Sequence, residues 1–82
     1  MEIRERIREF LRSELKKNIT GVADSESLLE SGILDSMSVV QLVALIERDY
    51  GIQVSDDDMM PENFDTIEAV ESFITRSRRA DR

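Results

Sequence analysis

The residues with the clearest chemical potential form the segment Gly32-Ile33-Leu34-Asp35-Ser36-Met37-Ser38, in which one serine follows an aspartate at the start of an apolar stretch. The chain contains no His and no Cys, and its only lysines are Lys16 and Lys17. The carboxylate of Asp35 disfavours an alkoxide at its neighbour, and a serine without a general base is a poor nucleophile. We therefore interpret Ser36 as a site that another enzyme modifies, and we predict no catalytic residue in this chain.

The length and composition predict one small domain that covers residues 1–82. Without Cys there is no disulfide framework, and without Cys and His the commonest metal ligands are missing, so we predict no metal site. No apolar run is long enough to span a bilayer, and the charged first residues do not resemble a signal peptide. We therefore expect a cytoplasmic protein without an integral membrane segment.

The charge of the chain is concentrated in its middle. Residues 24–71 contain thirteen acidic residues and one basic residue, Arg48, although the net charge of the whole chain is only −7. An acidic region of this kind repels nucleic acids and anionic membranes and attracts basic protein surfaces. The acidic middle is equally compatible with a solvated surface that keeps the protein soluble, and composition alone leaves both interpretations open.

Hydrophobic periodicity predicts three long helices. The first covers residues 2–17, the second runs from about Ser36 to Tyr50, and the last begins after Asp65 or Thr66 as its N-cap. The apolar positions of the second helix cover so much of its circumference that we expect it to be central. Its predicted apolar face consists of Met37, Val40, Val43, Ala44 and Tyr50, and it is widened by Val39, Leu42, Leu45 and Ile46. The predicted buried stripe of the last helix consists of Ile67, Val70, Phe73 and Ile74.

Turn-forming residues define the connections between these helices. Gly21 ends the first helix region, and a connection of about fourteen residues follows, which is long for a small domain. We expect it to pack on the core through Leu28, Leu29, Ile33 and Leu34. Gly51 ends the second helix as a C-cap residue.

A short third helix is predicted to begin at Ser55, whose spacing to Asp58 fits a capping motif, and to be limited by Pro61 and Asn63. Residues 77–82 are predicted to form a frayed basic tail. The fold class that follows is all-α. We predict a small four-helix bundle of three long helices and one short helix, with a long first loop.

The segment from Leu28 to Met37, followed by Val40-x-Leu42-Val43 and by residues 47–54, resembles the acyl carrier protein family over essentially the whole chain. In that family the Asp-Ser-Leu/Met motif is the attachment point of 4′-phosphopantetheine. The resemblance implies that Ser36 is esterified by a phosphopantetheinyl transferase, which uses coenzyme A as donor. The arm would then carry an acyl or aminoacyl group as a thioester, and the protein itself would be a monomeric carrier and not an enzyme.

The resemblance also implies where partner enzymes dock, namely over the start of the second helix and the loop before it. We expect Asp35 to face basic groups of the partners, Leu34 and Met37 to give apolar contacts, and Val40 and Gln41 to lie along the exposed margin. The family often lines a transient acyl pocket from this region. We nevertheless expect the apolar residues around it to belong mainly to the core, namely Met37, Val40, Val54, Met59, Phe64 and Ile67.

The second helix departs from the pattern of fatty-acid-synthase carriers. Ser38 and Gln41 stand at positions that are often acidic in those proteins, and Arg48 adds a positive charge. The segment from Gly32 to Leu42 is similar to the D-alanyl carrier proteins of cell-envelope polymer modification. Residues 60–67 resemble discrete carriers that serve separate adenylating enzymes. We therefore expect an ATP-dependent acyl or aminoacyl ligase as loader, with an acyl transferase or synthase downstream.

Three alternative functions are weighed at this point. A fatty-acid or polyketide synthase carrier would share the attachment motif but receive its cargo from an acyl transferase. An acidic protein-interaction adaptor, regulated by phosphorylation, would also display a serine beside Asp35. A small acidic inhibitor that mimics nucleic acid would explain the charge but not the placement of the motif. Incubation with coenzyme A and a promiscuous transferase separates the carriers from the other classes.

Overall fold

Four α-helices and one 3₁₀ turn make up the regular structure of the computed structural model, which describes residues 2–80, and of these the side chains of residues 2–78. The predicted all-α class and the small helical bundle are confirmed. The elements are, in chain order, α1 (Ile3–Ser13), α2 (Ser36–Tyr50), the 3₁₀ turn (Asp56–Asp58), α3 (Pro61–Phe64) and α4 (Ile67–Ala80).

Helix α1 buries one row of apolar side chains, Ile7, Phe10 and Leu11, against the core. The prediction that it continues to residue 17 is wrong, because it ends at Ser13. Lys16 has φ of 57°, a left-handed backbone conformation that cannot continue a right-handed helix. The N–H of Leu15 donates back to the carbonyl of Phe10 at 3.2 Å, and this bond closes the helix end.

The connection between α1 and α2 covers residues 14–35 and is therefore longer than predicted. It is nonetheless part of the core, as expected from its apolar residues. Leu28 is completely buried, Ile33 and Leu34 are nearly so, and Leu29 is half-buried. Ile19 is also buried. A segment without helix or strand thus supplies a substantial part of the hydrophobic core.

Helix α2 has the predicted bounds, and Gly51 ends it in a left-handed conformation with φ of 64°. The assignment of its apolar face is partly wrong. Leu42, Leu45 and Ile46, which were predicted to widen that face, reach the core, whereas Met37, Val40 and Ala44 are exposed. The helix carries more apolar residues than one face can bury, so its largest contiguous row packs inward and the remaining residues face solvent.

The predicted third helix is in fact two short elements. In the 3₁₀ turn, the carboxylate of Asp58 accepts hydrogen bonds from the N–H of Ser55 at 3.2 Å and from its hydroxyl at 2.9 Å. Pro61 begins α3 at its first position, where a missing N–H has no cost. Pro61 was predicted to limit a helix, but it stands at the start of the next one.

Helix α4 begins after Thr66, whose hydroxyl accepts a hydrogen bond from the N–H of Ala69 at 2.9 Å. Its predicted buried row of Ile67, Val70, Phe73 and Ile74 is confirmed. The prediction of a frayed tail from residue 77 is wrong for residues 77–80, which are helical, and its residues 81–82 lie outside the described part. The guanidinium of Arg78 lies 5.8 Å from the centre of the Tyr50 ring, a cation–π contact that holds this end of α4 on α2.

An ion-pair cluster joins α1, the long connection and α4. The carboxylate of Asp24 accepts hydrogen bonds from Arg8 and Arg4, and Arg4 also pairs with Glu71 at 2.7 Å. The bonds from Arg8 and then Arg4 hold the pKa of Asp24 below its usual value. Since the folded-state pKa is lowered, this stabilisation is present at neutral pH and is lost as the pH falls through that pKa.

We predict that Leu42→Ala lowers the free energy of unfolding by roughly 2–5 kcal/mol, as buried large-to-small changes do, because Leu42 is completely buried. Val40→Ala is the matched control on the same helix. Val40 is 56% exposed, and surface changes of this kind stay within about 0.5 kcal/mol. Ser36→Ala should behave like the control. Urea melts in which Ser36→Ala or Val40→Ala costs as much as Leu42→Ala would contradict this assignment of core and surface.

Candidate functional site

Ser36 is the first residue of α2, and its side chain is exposed. Asp35 provides the helix cap, because its carboxylate accepts a hydrogen bond from the N–H of Ser38 at 2.9 Å. Its backbone carbonyl accepts a second bond, from the N–H of Val39. The hydroxyl of Ser36 is therefore not needed to cap the helix and remains available to a modifying enzyme.

The charge of Asp35 is stabilised at this helix start. The hydrogen bond from the backbone of Ser38 holds the pKa of Asp35 below its usual value. The carboxylate is consequently ionised at neutral pH and cannot donate a proton to Ser36. The positive end of the α2 dipole lies at the same place and compensates this charge.

Two residues close to Ser36 in sequence, Leu34 and Ser38, are buried, whereas Ser36 is exposed. Leu34 is only 2% exposed, and its N–H donates to the carbonyl of Leu28 at 2.9 Å. The expected role of Leu34 as a partner contact is therefore incompatible with its position in the core. Ser38 is also buried. Within this segment, Ser36 is thus the serine whose hydroxyl is accessible from solvent.

An apolar groove of about 300 Å³ opens directly beside Ser36. Apart from Ser36 itself, its lining contains no polar or charged side chain. The lining residues are Leu29, Ser36, Val39, Met59, Met60, Pro61 and Phe64. Of the residues expected from the sequence around such a pocket, Met59 and Phe64 are present, whereas Val54 and Ile67 belong to the core side.

Sequence reasoning missed Leu29, Met60 and Pro61 as groove residues. The signal for them was weak, because Leu29 is in a segment without periodicity. The two methionines before Pro61 were the clearer signal for a groove, since a large apolar residue next to a helix start is expected to face another apolar surface. The exposed fractions of Met59 and Met60, 40% and 48%, now place them at the rim of the groove.

The apolar surface continues from the groove onto α2. Met37 is 71% exposed and Val40 is 56% exposed, and Gln41 and Ala44 are exposed beside them. This corrects the expectation that Met37, Val40 and Met59 belong mainly to the core. Large apolar side chains grouped on a surface commonly mark a site of interaction.

Residues 2–80 contain neither a metal site nor a membrane-spanning helix. In that part of the chain, no group of at least three His, Cys, Asp or Glu side chains is arranged to hold a metal ion. Among the described helices, none combines the length and the apolar character that crossing a membrane requires. The exposed serine with its groove is therefore the candidate site with the most definite chemistry.

Comparison with known proteins gives two matches. Residues 5–74 match the model of a family described as phosphopantetheine attachment site. The chain is also 25% identical over 80 residues to a D-alanyl carrier protein of Streptococcus sanguinis (strain SK36), an alignment that covers 98% of this chain and the whole of that protein. Since the family model matches most of the chain, including the exposed serine, its groove, the whole of α2 and α3 and most of α1 and α4, the chain belongs to the phosphopantetheine attachment site family of carrier proteins.

Proposed function

We propose that this carrier protein bears its 4′-phosphopantetheine on Ser36 and holds an acyl or aminoacyl group on that arm as a thioester. The single observation that carries this assignment is the geometry of the second-helix start. Ser36 is exposed at the first position of α2 and opens onto an apolar groove, while the cap is supplied by Asp35 and Ser38 is buried.

The residues around Ser36 fit the prosthetic group. The first N–H groups of α2 are not used by the helix itself, so the helix end favours a phosphate on the Ser36 oxygen. The groove suits the apolar parts of an arm or acyl chain, because its side chains other than Ser36 are apolar. When bound, the arm supplies the thiol that this chain lacks.

Attachment requires a partner enzyme, because Ser36 has no base of its own. In the transfer, the Ser36 oxygen would form a bond to the β-phosphorus of coenzyme A, and the phosphoanhydride bond would break. The serine proton passes to a base of the transferase, and adenosine 3′,5′-bisphosphate leaves. The chain contributes an accessible hydroxyl and a helix end, and the absence of His and Cys leaves no side chain of these types to attack a stored thioester.

We predict that Ser36 is the only attachment site. Treatment with coenzyme A and a promiscuous phosphopantetheinyl transferase should raise the intact mass by one phosphopantetheinyl group, and Ser36→Ala should abolish the increase. Ser38→Ala is the matched control and should be modified like the parent, because Ser38 is buried. Modification that persists in Ser36→Ala would refute the assignment.

Partner enzymes dock, in this proposal, on the surface formed by Asp35, Met37, Val40 and Gln41. Leu34 contributes indirectly, by anchoring the preceding loop in the core. The exposed α2 face carries no charge between Ser36 and Ala44, so apolar contact dominates there. Methionine adapts to differently shaped partners, which suits a protein that visits a transferase, a loader and a downstream acyl transferase or synthase.

We predict two separable contributions to recognition by the transferase. Asp35→Asn keeps a good helix cap but removes the charge, so it should lower kcat/KM at low salt and lose this effect at high salt. Met37→Ser should lower kcat/KM at both salt concentrations, because it removes an apolar contact. Rates measured at two ionic strengths test both, with Thr75→Ser as a conservative control away from α2. Insensitivity of the rate to both changes would exclude this docking surface.

The proposed loader is a separate ATP-dependent ligase that activates the cargo as an adenylate. Three features support it. The relative is named as a D-alanyl carrier protein, Ser38 and Gln41 stand where fatty-acid-synthase carriers are often acidic, and residues 60–67 resemble discrete carriers. We place this cycle in the cytoplasm, where ATP and coenzyme A are available. The carrier then presents its thioester to a second enzyme, and tethering raises its effective concentration there.

We predict that the phosphopantetheinyl form is acylated by ATP, D-alanine and a D-alanine-activating ligase, or by another amino or carboxylic acid with a ligase encoded beside this chain. The parallel reaction contains malonyl-coenzyme A and its transferase. Intact mass distinguishes the products, and Ser36→Ala is the control for attachment. Efficient malonyl loading without ligase-dependent acylation would instead assign a fatty-acid or polyketide carrier. Absence of any attachment would favour the acidic adaptor.

A further inference from the structure

The lining of the Ser36 groove comes from two separate parts of the chain, which we call its two sides. The first part contributes Leu29, from the long connection, and Val39, from α2. The second part contributes Met59, Met60, Pro61 and Phe64. The width of the groove therefore depends on what holds residues 59–64 at a fixed distance from the long connection.

Helix α3 packs on α4 and on the turn that precedes it. Phe64 is buried, and its ring meets that of Phe73 in α4 edge-on, with centroids 5.4 Å apart. The side-chain amide of Asn63 donates to the carbonyl of Asp58 at 2.9 Å, and Arg76 of α4 approaches Asn63 at 3.4 Å. These contacts fix α3 on α4 and on the preceding turn, but they do not join it to the opposite side of the groove.

Asp65, the residue directly after Phe64, makes the connection between the two sides. Its carboxylate accepts hydrogen bonds from the hydroxyl of Ser27 at 2.7 Å and from the N–H of Leu29 at 3.2 Å. Its backbone carbonyl accepts a third, from the N–H of Leu28 at 2.6 Å. Among the described residues, the hydrogen bonds between residues 59–66 and the long connection all end on Asp65.

We propose that Asp65 is a positioning residue that sets the width of the groove beside Ser36, and thereby the extent to which a group on the arm is shielded from water. This inference rests on the proposed function of Ser36. Its carboxylate is the part that acts, because it holds Leu29, a lining residue, next to Phe64 on the opposite side. Loss of the carboxylate leaves the carbonyl bond to Leu28, so the loop stays tethered while the groove widens.

The test uses coenzyme A whose thiol carries an apolar solvatochromic dye, transferred to Ser36 of the full chain. The dye on the parent protein should emit at shorter wavelength than the same dye free in water. Asp65→Ala should shift the emission toward that of the free dye. Asp65→Asn, which keeps one acceptor oxygen, should shift it less, and Ser27→Ala, which removes one donor, should shift it in the same direction.

Thr66→Ala is the matched control, because it removes the cap of α4 at the neighbouring residue without touching the long connection. It should keep the emission of the parent. Equal shifts in Thr66→Ala and Asp65→Ala, unchanged emission in both Asp65→Ala and Ser27→Ala, or parent emission already equal to that of the free dye would each overturn the inference. If the dye does not attach to Ser36, the proposed function and this inference fail together. If the dye attaches and one of the three outcomes above is observed, only this inference fails.

Discussion

The position of Ser36 depends on a connection that has no regular secondary structure and must therefore be held by other parts of the molecule. A segment as long as residues 14–35 would ordinarily move on the surface. Here it is fixed at two places to the start of α4. The carbonyl of Asp24 accepts a hydrogen bond from the N–H of Glu68, and Asp65 accepts three bonds from residues 27–29.

The burial of apolar side chains also fixes the long connection in place. Leu28 and Leu34 are both buried, and the N–H of Leu34 donates to the carbonyl of Leu28. Residues 28–34 therefore form a hydrogen-bonded loop that is anchored in the core at both ends. Two residues later the chain enters α2, and Ser36 faces solvent. The exposure of the Ser36 hydroxyl thus depends on two leucines that are themselves buried.

The bounds of α2, the buried row of α4 and the fold class could be predicted from the sequence, because they depend on local periodicity and on caps such as Gly51. The end of α1 could not be predicted, since no residue type in this segment indicates that Lys16 adopts a left-handed backbone conformation. The face of α2 that points to the core could not be predicted from the sequence either. A helix with nine or so apolar positions permits several inward faces, and only the packing against its neighbours decides that Met37 and Val40 remain outside.

The candidate site shows the same division. Ser36 and Asp35 were predictable because a short motif carries them, whereas the groove is formed by residues far apart in sequence. Asp65 was considered from the sequence only as a possible helix cap. That role belongs to Thr66, which leaves the carboxylate of Asp65 free to bind the long connection. Tertiary hydrogen bonds of this kind have no local signal, and they need the folded structure to be found.

The strong negative charge of the middle region has a different meaning in the folded protein from the one that composition suggests. Several of its carboxylates are engaged within the molecule. Asp24 and Glu71 pair with α1 arginines, Asp58 caps a turn, and Asp65 holds the loop. The exposed face of α2 next to the serine is uncharged, apart from Asp35 at its start. In the proposed function, charge can therefore guide the approach of a partner over a distance, whereas the surface next to Ser36 offers mainly apolar contact.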